Sequence, residues 1–296
     1  MVNCLKFKKQ TMFLILLLVS VISCKGNVID EDLGDPVKSL KTETAASIAN
    51  KSINIMTFNI LWDKVTTEPT QWVHRKQSMV NLVKRHRPDI IGIQEGFLHQ
   101  VNYIKAEIKY EYFGWGTDDG NAHFNNPKTT QSLNPIMYDP NRLSVLGQGV
   151  FWYADKTDAP GKFKSDTHFS LTDDNRLKQA DLLKTKIKEI AGTSAEIICI
   201  GDFNADPIRD QSYHALSNPN ADMTIVDSKL ICSSLPLGPS FTGSGLKVNS
   251  RSSGYEVDHV FIRNIPSCSA YKIITDYEGD YYPSDHFPVL SVLKFD

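Results

Sequence analysis

Apolar residues fall along this chain in short runs that stop at polar side chains. The sharpest run is IICI at 197–200, which meets Gly201 and is followed by Asp202, Phe203, Asn204, Ala205, Asp206 and Pro207. An apolar run of about four to eight residues halted by turn formers reads as a core strand. Side chains two apart on a strand share a face, so Asp202 and Asn204 are expected at one site, with Phe203 turned into the core. An Asx turn is the competing reading, since Asp and Asn favour it. Residues 52–59 are apolar at both alternate sets, which predicts a strand covered on both faces. Met79, Val80, Leu82 and Val83 predict a helix over 75–86 that Pro88 stops. A strand over 89–94 ends at Glu95 and Gly96, and a helix follows over 98–108. Residues 114–134 read as a long loop, and 135–138 and 143–153 as strands. Leu177, Ala180, Leu183, Ile187 and Ile190 predict an amphipathic helix over 175–191, ended by Gly192. Beyond the central strand come a polar segment, a Gly/Ser-rich loop over 238–254, and strands over 256–263, 271–275 and 288–295. Strands and helices alternate early and strands dominate later. The pattern predicts an α/β chain with two sheets packed face to face and helices outside.

The first residues follow a different rule. Lys6, Lys8 and Lys9 precede an apolar run from Met12 to Ile22, which is 11 residues long. That length suits a leader core and falls short of the ~20 residues a spanning helix needs. The run ends in Ser23-Cys24, and a small residue before Cys resembles a bacterial lipoprotein box. Residues 1–23 are therefore expected to be a signal peptide, with Cys24 lipidated and 24–50 a polar, flexible tether to a domain over 51–296. Ordinary secretion and an uncleaved anchor are the alternatives. The expected product is an exported, membrane-anchored monomer, periplasmic or on the outer surface of a bacterium.

Composition adds limits. With 41% hydrophobic and 22% charged residues, the chain is an ordinary globular one. Loss of residues 1–23 leaves 29 basic against 34 acidic residues, a net charge of −5. Such a chain is not built for avid, sequence-blind nucleic-acid binding. The five cysteines show no CxxC spacing. Cys199 lies in the central apolar run and is expected in the core. A Cys232–Cys268 bridge is open to a chain outside the cytoplasm, and the sequence does not decide it.

Candidate chemistry gathers where the apolar runs stop. Asn59, Glu95, Asp202 with Asn204, and Ser284-Asp285-His286 each lie at a strand end. Asp258 sits inside an apolar strand, where an ionised carboxylate is costly unless paired. His286 is its expected partner, able to stabilise a phosphate oxygen or handle a proton. Glu95, Asp285 and Asn59 offer hard oxygen ligands suited to Mg²⁺ or Mn²⁺. Asp202 is placed to orient or deprotonate a water, with Asn204 holding that water or a phosphate oxygen.

Five blocks carry a family resemblance: FNILWD (58–63), PDIIGIQEG (88–96), GDFNADP (201–207), EVDHVFI (256–262) and SDHFPVL (284–290). In this order they resemble the signature blocks of the endonuclease/exonuclease/phosphatase family, across residues 53–295. The stretch containing Trp72, His74, Arg75 and Lys76 also resembles its small bacterial members. The resemblance implies a four-layered α-β-β-α sandwich of two mixed sheets, as in deoxyribonuclease. It places metal ligands on Asn59, Glu95 and Asp285, the water-activating Asp on Asp202 beside Asn204, and the catalytic Asp–His pair on Asp258 and His286. A second catalytic His falls on His168, within Asp166-Thr167-His168 where the family carries Asn-Thr-His. It also implies a metal-dependent hydrolase of phosphomonoesters or phosphodiesters. Its substrate would be a small phosphorylated molecule, a phospholipid head group or nucleic acid. One departure stands out. Relatives have two strands ahead of this His, whereas residues 154–167 are polar and too short for that hairpin. The alternative function is therefore a degenerate, non-catalytic lipoprotein that binds a phosphorylated ligand.

Overall fold

The computed structural model describes residues 2–9, 12–19, 52–114, 132–151, 153, 169–250 and 254–295. Cys24, the tether over 24–50, residues 154–167 and His168 lie outside the described residues. In chain order the strands are β1 (Val2–Lys9), β2 (Met12–Val19), β3 (Ser52–Asn59), β4 (Ile90–Gln94), β5 (Gly96–Phe97), β6 (Glu111–Phe113), β7 (Ser132–Leu133), β8 (Ile136–Tyr138), β9 (Ser144–Phe151), β10 (Glu196–Asp202), β11 (Val226–Asp227), β12 (Asp258–Arg263), β13 (Ser267–Ile273) and β14 (Val289–Lys294). The α-helices are α1 (Trp72–His86), α2 (Leu98–Ile108), α3 (Asp173–Ala191) and α4 (Gln211–Ser217), and a 3₁₀ turn covers Ser228–Ile231.

Two six-stranded sheets form the centre. One runs β13-β14-β3-β4-β8-β6 and the other β11-β12-β10-β2-β1-β9. Strand alternation divides the apolar residues among three cores. Ile53 and Ile55 of β3 meet Ile198 and Ile200 of β10, and Val260 and Ile262 of β12, between the sheets. Met56 and Phe58 face the other way, onto Met79, Val80 and Val83 of α1 and Val101 and Ile104 of α2. Ile197, Cys199 and Phe261 turn outward onto Leu183 and Ile187 of α3. The result is the expected sandwich of helices, sheet, sheet and helices. Both faces of β3 and β10 are covered, which is why their runs are apolar at consecutive positions.

Helix ends follow local chemistry. Lys84, Arg85 and His86 occupy the last turn of α1, where positive charge suits the helix dipole. Arg87 then turns left-handed and its N–H returns to Val83 O, ahead of Pro88. Asp173 and Asp174 open α3 and Gly192 closes it. The apolar face of α3 is narrower than its spacing suggested: Ala180, Leu183 and Ile187 are buried, but Leu177 is half-buried and Ile190 exposed. Arg176 and Gln179 take the buried places nearer its start, holding Ser170 through Arg176 Nη1 to Ser170 O (3.2 Å) and Ser170 N to Gln179 Oε1 (2.8 Å). The polar segment after the central strand contains α4 and β11, short elements with no strong periodicity.

The first residues are placed in an unforeseen way. The basic start and most of the apolar run read as a leader form the hairpin β1–β2, with Val2 opposite Val19. The hairpin sits between β9 and β10, antiparallel to β9 and parallel to β10. It thus occupies two adjacent positions in the middle of this sheet. Cleavage before Cys24 would part this hairpin from the chain. Cys232 and Cys268 form a disulfide that joins the segment after the 3₁₀ turn to β13, and Cys199 is buried in the core.

Two polar links tie loops to the frame. Arg75 of α1 is 2% exposed. Its guanidinium donates to Thr70 O (2.7 Å), Ile60 O (3.0 Å), Leu61 O (3.1 Å) and Pro283 O (2.6 Å), joining the turn after β3 to the one before β14. Burial lowers its pKa to about 10, although Asp285, Asp63 and Glu95 pull it upward, so the group stays cationic. Replacement by Met leaves four carbonyls short of a donor. Arg75→Met should cost at least about 3 kcal/mol in urea unfolding; a loss under about 1 kcal/mol would mean other contacts hold these turns. The second link is Asp276, which accepts from Arg85 (2.5 Å) and His86 (2.9 Å). Partial burial pushes its carboxyl up, and the two hydrogen bonds outweigh this and hold it below the ordinary value. Its contribution is therefore present above the unfolded carboxyl pKa, near 4, and is lost as pH falls through the lower folded value. Asp276→Asn should be less stable than wild type by up to about 1 kcal/mol at pH 7, with the deficit shrinking as pH is lowered from 5 to 3. An equal deficit across that range would contradict the link.

Candidate active site

The alternation that builds the inter-sheet core also builds the site. On β3 the face bearing Ile53 and Ile55 continues to Thr57 and Asn59. On β10 the face of Ile198 and Ile200 continues to Asp202, and on β12 Asp258 begins the face of Val260 and Ile262. In register, Asp202 lies opposite Asp258. These polar groups close one end of the layer between the sheets.

The structure brings most of the expected residues together. Asn59 Nδ2 donates to Glu95 Oε1 and to Asp202 Oδ2, both at 3.2 Å. His286 Nδ1 lies 2.7 Å from Asp258 Oδ2 and 3.9 Å from Asp202 Oδ2. Ser284 Oγ donates to Asn59 O at 2.6 Å, tying the Ser284-Asp285-His286 turn to the end of β3. Phe203 is fully buried on the helix side, as expected.

Asn204 reaches the site by another route than strand alternation. β10 ends at Asp202, and Asn204 is left-handed with φ 46°. Its N–H donates to Asp202 Oδ1 at 2.9 Å, and its Nδ2 to Phe169 O at 2.8 Å. This is the Asx turn, and it performs the positioning: the turn swings Asn204 round and fixes the Asp202 carboxylate together. Glu95 is likewise left-handed, with φ 57°, and its N–H donates to Asn134 Oδ1 at 3.1 Å. Gly96 follows because a Cβ there would lie 2.9 Å from Val101 Cγ2. The close packing of this turn on α2 aims Glu95 back toward Asn59.

Electrostatics sort the groups. Asp202 and Asp258 have no exposed surface. Burial of the His286 ring disfavours its charge, and Asp258, Asp202 and Asp285 outweigh that, raising its pKa well above the ordinary value. Burial likewise raises the Asp258 carboxyl, and the close His286–Asp258 contact offsets the cost of burying the two together. Thr242 Oγ1 accepts the N–H groups of Val257 (3.1 Å) and Asp258 (3.3 Å). Asp258 Oδ1 is buried with no hydrogen-bond partner among the described residues. Glu95 and Asp285 are partly exposed, so this side of the site opens to solvent. Glu95 and Asp285 present at this open side the carboxylate oxygens that Mg²⁺ or Mn²⁺ prefers, with the buried Asn59 amide held against Glu95. Among the described residues two compact acid–histidine groups occur, Asp202, Asp258 and His286 here and Asp227, Glu256 and His259 on the other side of β12.

Several supporting residues had weak sequence signals. Thr242 lies in the Gly/Ser-rich loop with no periodicity around it. Asn134 accepts from an amide 39 positions away and Arg75 donates to carbonyls up to 208 positions away, separations that no local pattern reveals.

Comparisons with known proteins agree with this geometry. The model of the endonuclease/exonuclease/phosphatase family matches residues 56–286. Protein L388 of Acanthamoeba polyphaga mimivirus is 25% identical over 262 residues, covering 76% of this chain and 92% of its own. The crystal structure of a family protein from Bacteroides thetaiotaomicron superposes with a TM-score of 0.74 at 25% identity, covering 83% of this chain and 98% of that one. The mannosyl-6-phosphatase Bt3783 of the same species gives 0.73 at 25% identity, covering 82% and 100%. The human Nocturnin catalytic domain, at 17% identity and 0.60, shares the fold. With its blocks, its sandwich and its site assembled in one place, the chain belongs to the endonuclease/exonuclease/phosphatase family.

Proposed function

We propose that this protein hydrolyses phosphate esters, with Asp202 as the base that takes a proton from the attacking water. One observation carries the reading: Asp202 lies beside the His286 ring, which is held on the buried Asp258, while Asn59 joins Asp202 to the partly exposed Glu95. The water oxygen bonds to phosphorus, its proton passes to Asp202, and the ester P–O bond breaks, the leaving oxygen departing as the alcohol with a proton taken from solvent. His286 faces the charge that develops on the phosphoryl oxygens, and Asp258 fixes the ring's orientation. Asn204, set by its turn, is positioned to hold the water. Mg²⁺ or Mn²⁺ held by Glu95, Asn59 and Asp285 would supply polarisation of a phosphoryl oxygen. The resemblance to Bt3783 makes a sugar phosphate a natural first substrate. The Cys232–Cys268 disulfide supports an oxidising compartment, in keeping with export.

The test uses the full chain with mannose 6-phosphate, p-nitrophenyl phosphate and bis-p-nitrophenyl phosphate, under Mg²⁺, Mn²⁺ or chelator. Turnover should require the cation. Asp202→Asn and His286→Ala should each lower kcat by at least about 100-fold, near 2.7 kcal/mol of barrier. Full activity in Asp202→Asn would remove it as the base. A folded wild type that binds Mn²⁺ yet releases nothing from any of the three esters would overturn hydrolysis and favour a phosphate-binding role.

A further inference from the structure

His259 follows Asp258 on β12 and therefore points through the sheet to the opposite side. It is fully buried among Phe203, Tyr213 and Phe261. Its Nδ1 lies 2.9 Å from Asp227 Oδ2, and its Nε2 lies 2.9 Å from Ala205 O and 3.2 Å from Glu256 O. Carbonyl oxygens only accept, so Nε2 carries a proton. Asp227 accepts from Tyr213 Oη (3.2 Å) and Lys229 N (3.1 Å), with Lys229 Nζ at 3.8 Å, which marks it as ionised. Nδ1 therefore donates as well.

The carbonyls that this ring holds are not ordinary ones. Ala205 follows Asn204, and Glu256 is two residues ahead of Asp258. We propose that His259 is a positioning residue for the reaction: anchored through Nδ1 on Asp227, it donates from Nε2 to both Ala205 O and Glu256 O, ties the Asp202–Asp206 turn to the segment entering β12 and sets Asp202 against Asp258. Two further ties run in parallel, Phe203 N to Val257 O (2.8 Å) and Glu256 N to Asp206 Oδ2 (3.2 Å). They let the turn survive loss of the ring while losing its exact setting. The remaining groups facing the ring are satisfied without a bound ion: Glu256 accepts from Lys229 Nζ (2.6 Å) and Tyr271 Oη (2.9 Å). Burial opposes charge on His259, and Asp227 and Glu256 outweigh it. The cluster is a brace with no room in its chemistry for a second metal centre.

The test rests on the hydrolytic reading and is arranged to separate the two. In the full chain, His259→Phe should lower kcat at least 20-fold per folded molecule, with KM changed less than threefold. His259→Gln, which keeps an amide donor, should regain at least fivefold of that loss. Leu183→Ala, a core change under the same sheet, should keep kcat within twofold, since loss of packing alone does not move the turn. The double variant His259→Phe/Asp227→Asn leaves no unpaired carboxylate and stands in if His259→Phe does not fold. A kcat within twofold of wild type in a folded Phe variant would overturn the brace. Imidazole ¹⁵N spectra add a readout free of turnover. They should show both His259 nitrogens protonated in wild type, and the His286 Nδ1–H resonance displaced in the His259 variants. A one-proton His259 ring, or an unmoved His286 signal, would also overturn it. Absence of turnover in wild type would count against the hydrolytic reading alone, and the spectra would then decide the brace.

Discussion

The charged groups at the centre of this protein ride on strands whose inward faces are otherwise isoleucine and valine. That constraint governs the rest. A strand exposes alternate residues to one face, so any polar side chain in phase with Ile53 and Ile55, or with Ile198 and Ile200, must enter the layer between the sheets. There it meets low polarity and must find a partner. Asn59, Asp202, Asp258 and His286 are one another's partners. None would be tolerable alone, and the fold brings them together only when both sheets are in place. The reactive cluster is thus a product of the packing that stabilises the domain.

Precision comes from the turns at the strand ends. Leu61, Glu95 and Asn204 all have positive φ, an arrangement that costs a non-glycine residue of the order of 1 kcal/mol or more. Each is held there by a specific contact: Arg75 on the carbonyl of Leu61, Asn134 on the amide of Glu95, and Asp202 on the amide of Asn204. A buried cation secures one side of the site and a buried imidazolium the other. Both act on backbone carbonyls, so they fix the path of the chain and leave the reactive side chains free to meet substrate.

Much of this was legible in the residues, and the exceptions have physical causes. β3, β4, β10 and β12 announce themselves because burial on both faces forces consecutive apolar residues. The pairing of Asp258 with His286 follows from the cost of a lone carboxylate in such a strand. Asn204 was placed correctly for an incorrect reason, because strand alternation and an Asx turn both bring positions 202 and 204 together. α4 and β11 went unseen: seven residues and two residues are too few to show a period. The apolar face of α3 was drawn too long because Arg176 and Gln179 satisfy buried backbone, a task hydrophobicity does not register. The disulfide needed the approach of residues 36 positions apart. The pairing of β1–β2 with β9 and β10 left no mark in the sequence, since an apolar run after lysines has the same appearance in a leader and in a strand.

That hairpin has a consequence for the order of events during synthesis. β2 is among the first segments to leave the ribosome, and its parallel neighbour β10 begins at Glu196, about 180 residues later. At ~5–20 residues per second the apolar strand waits roughly 10 to 35 s for its place in the sheet. Through that interval it is a solvent-exposed apolar segment behind a basic start, available to whatever recognises such segments. The fate of the first twenty residues is then a race, decided before the residues that would shelter them have been made.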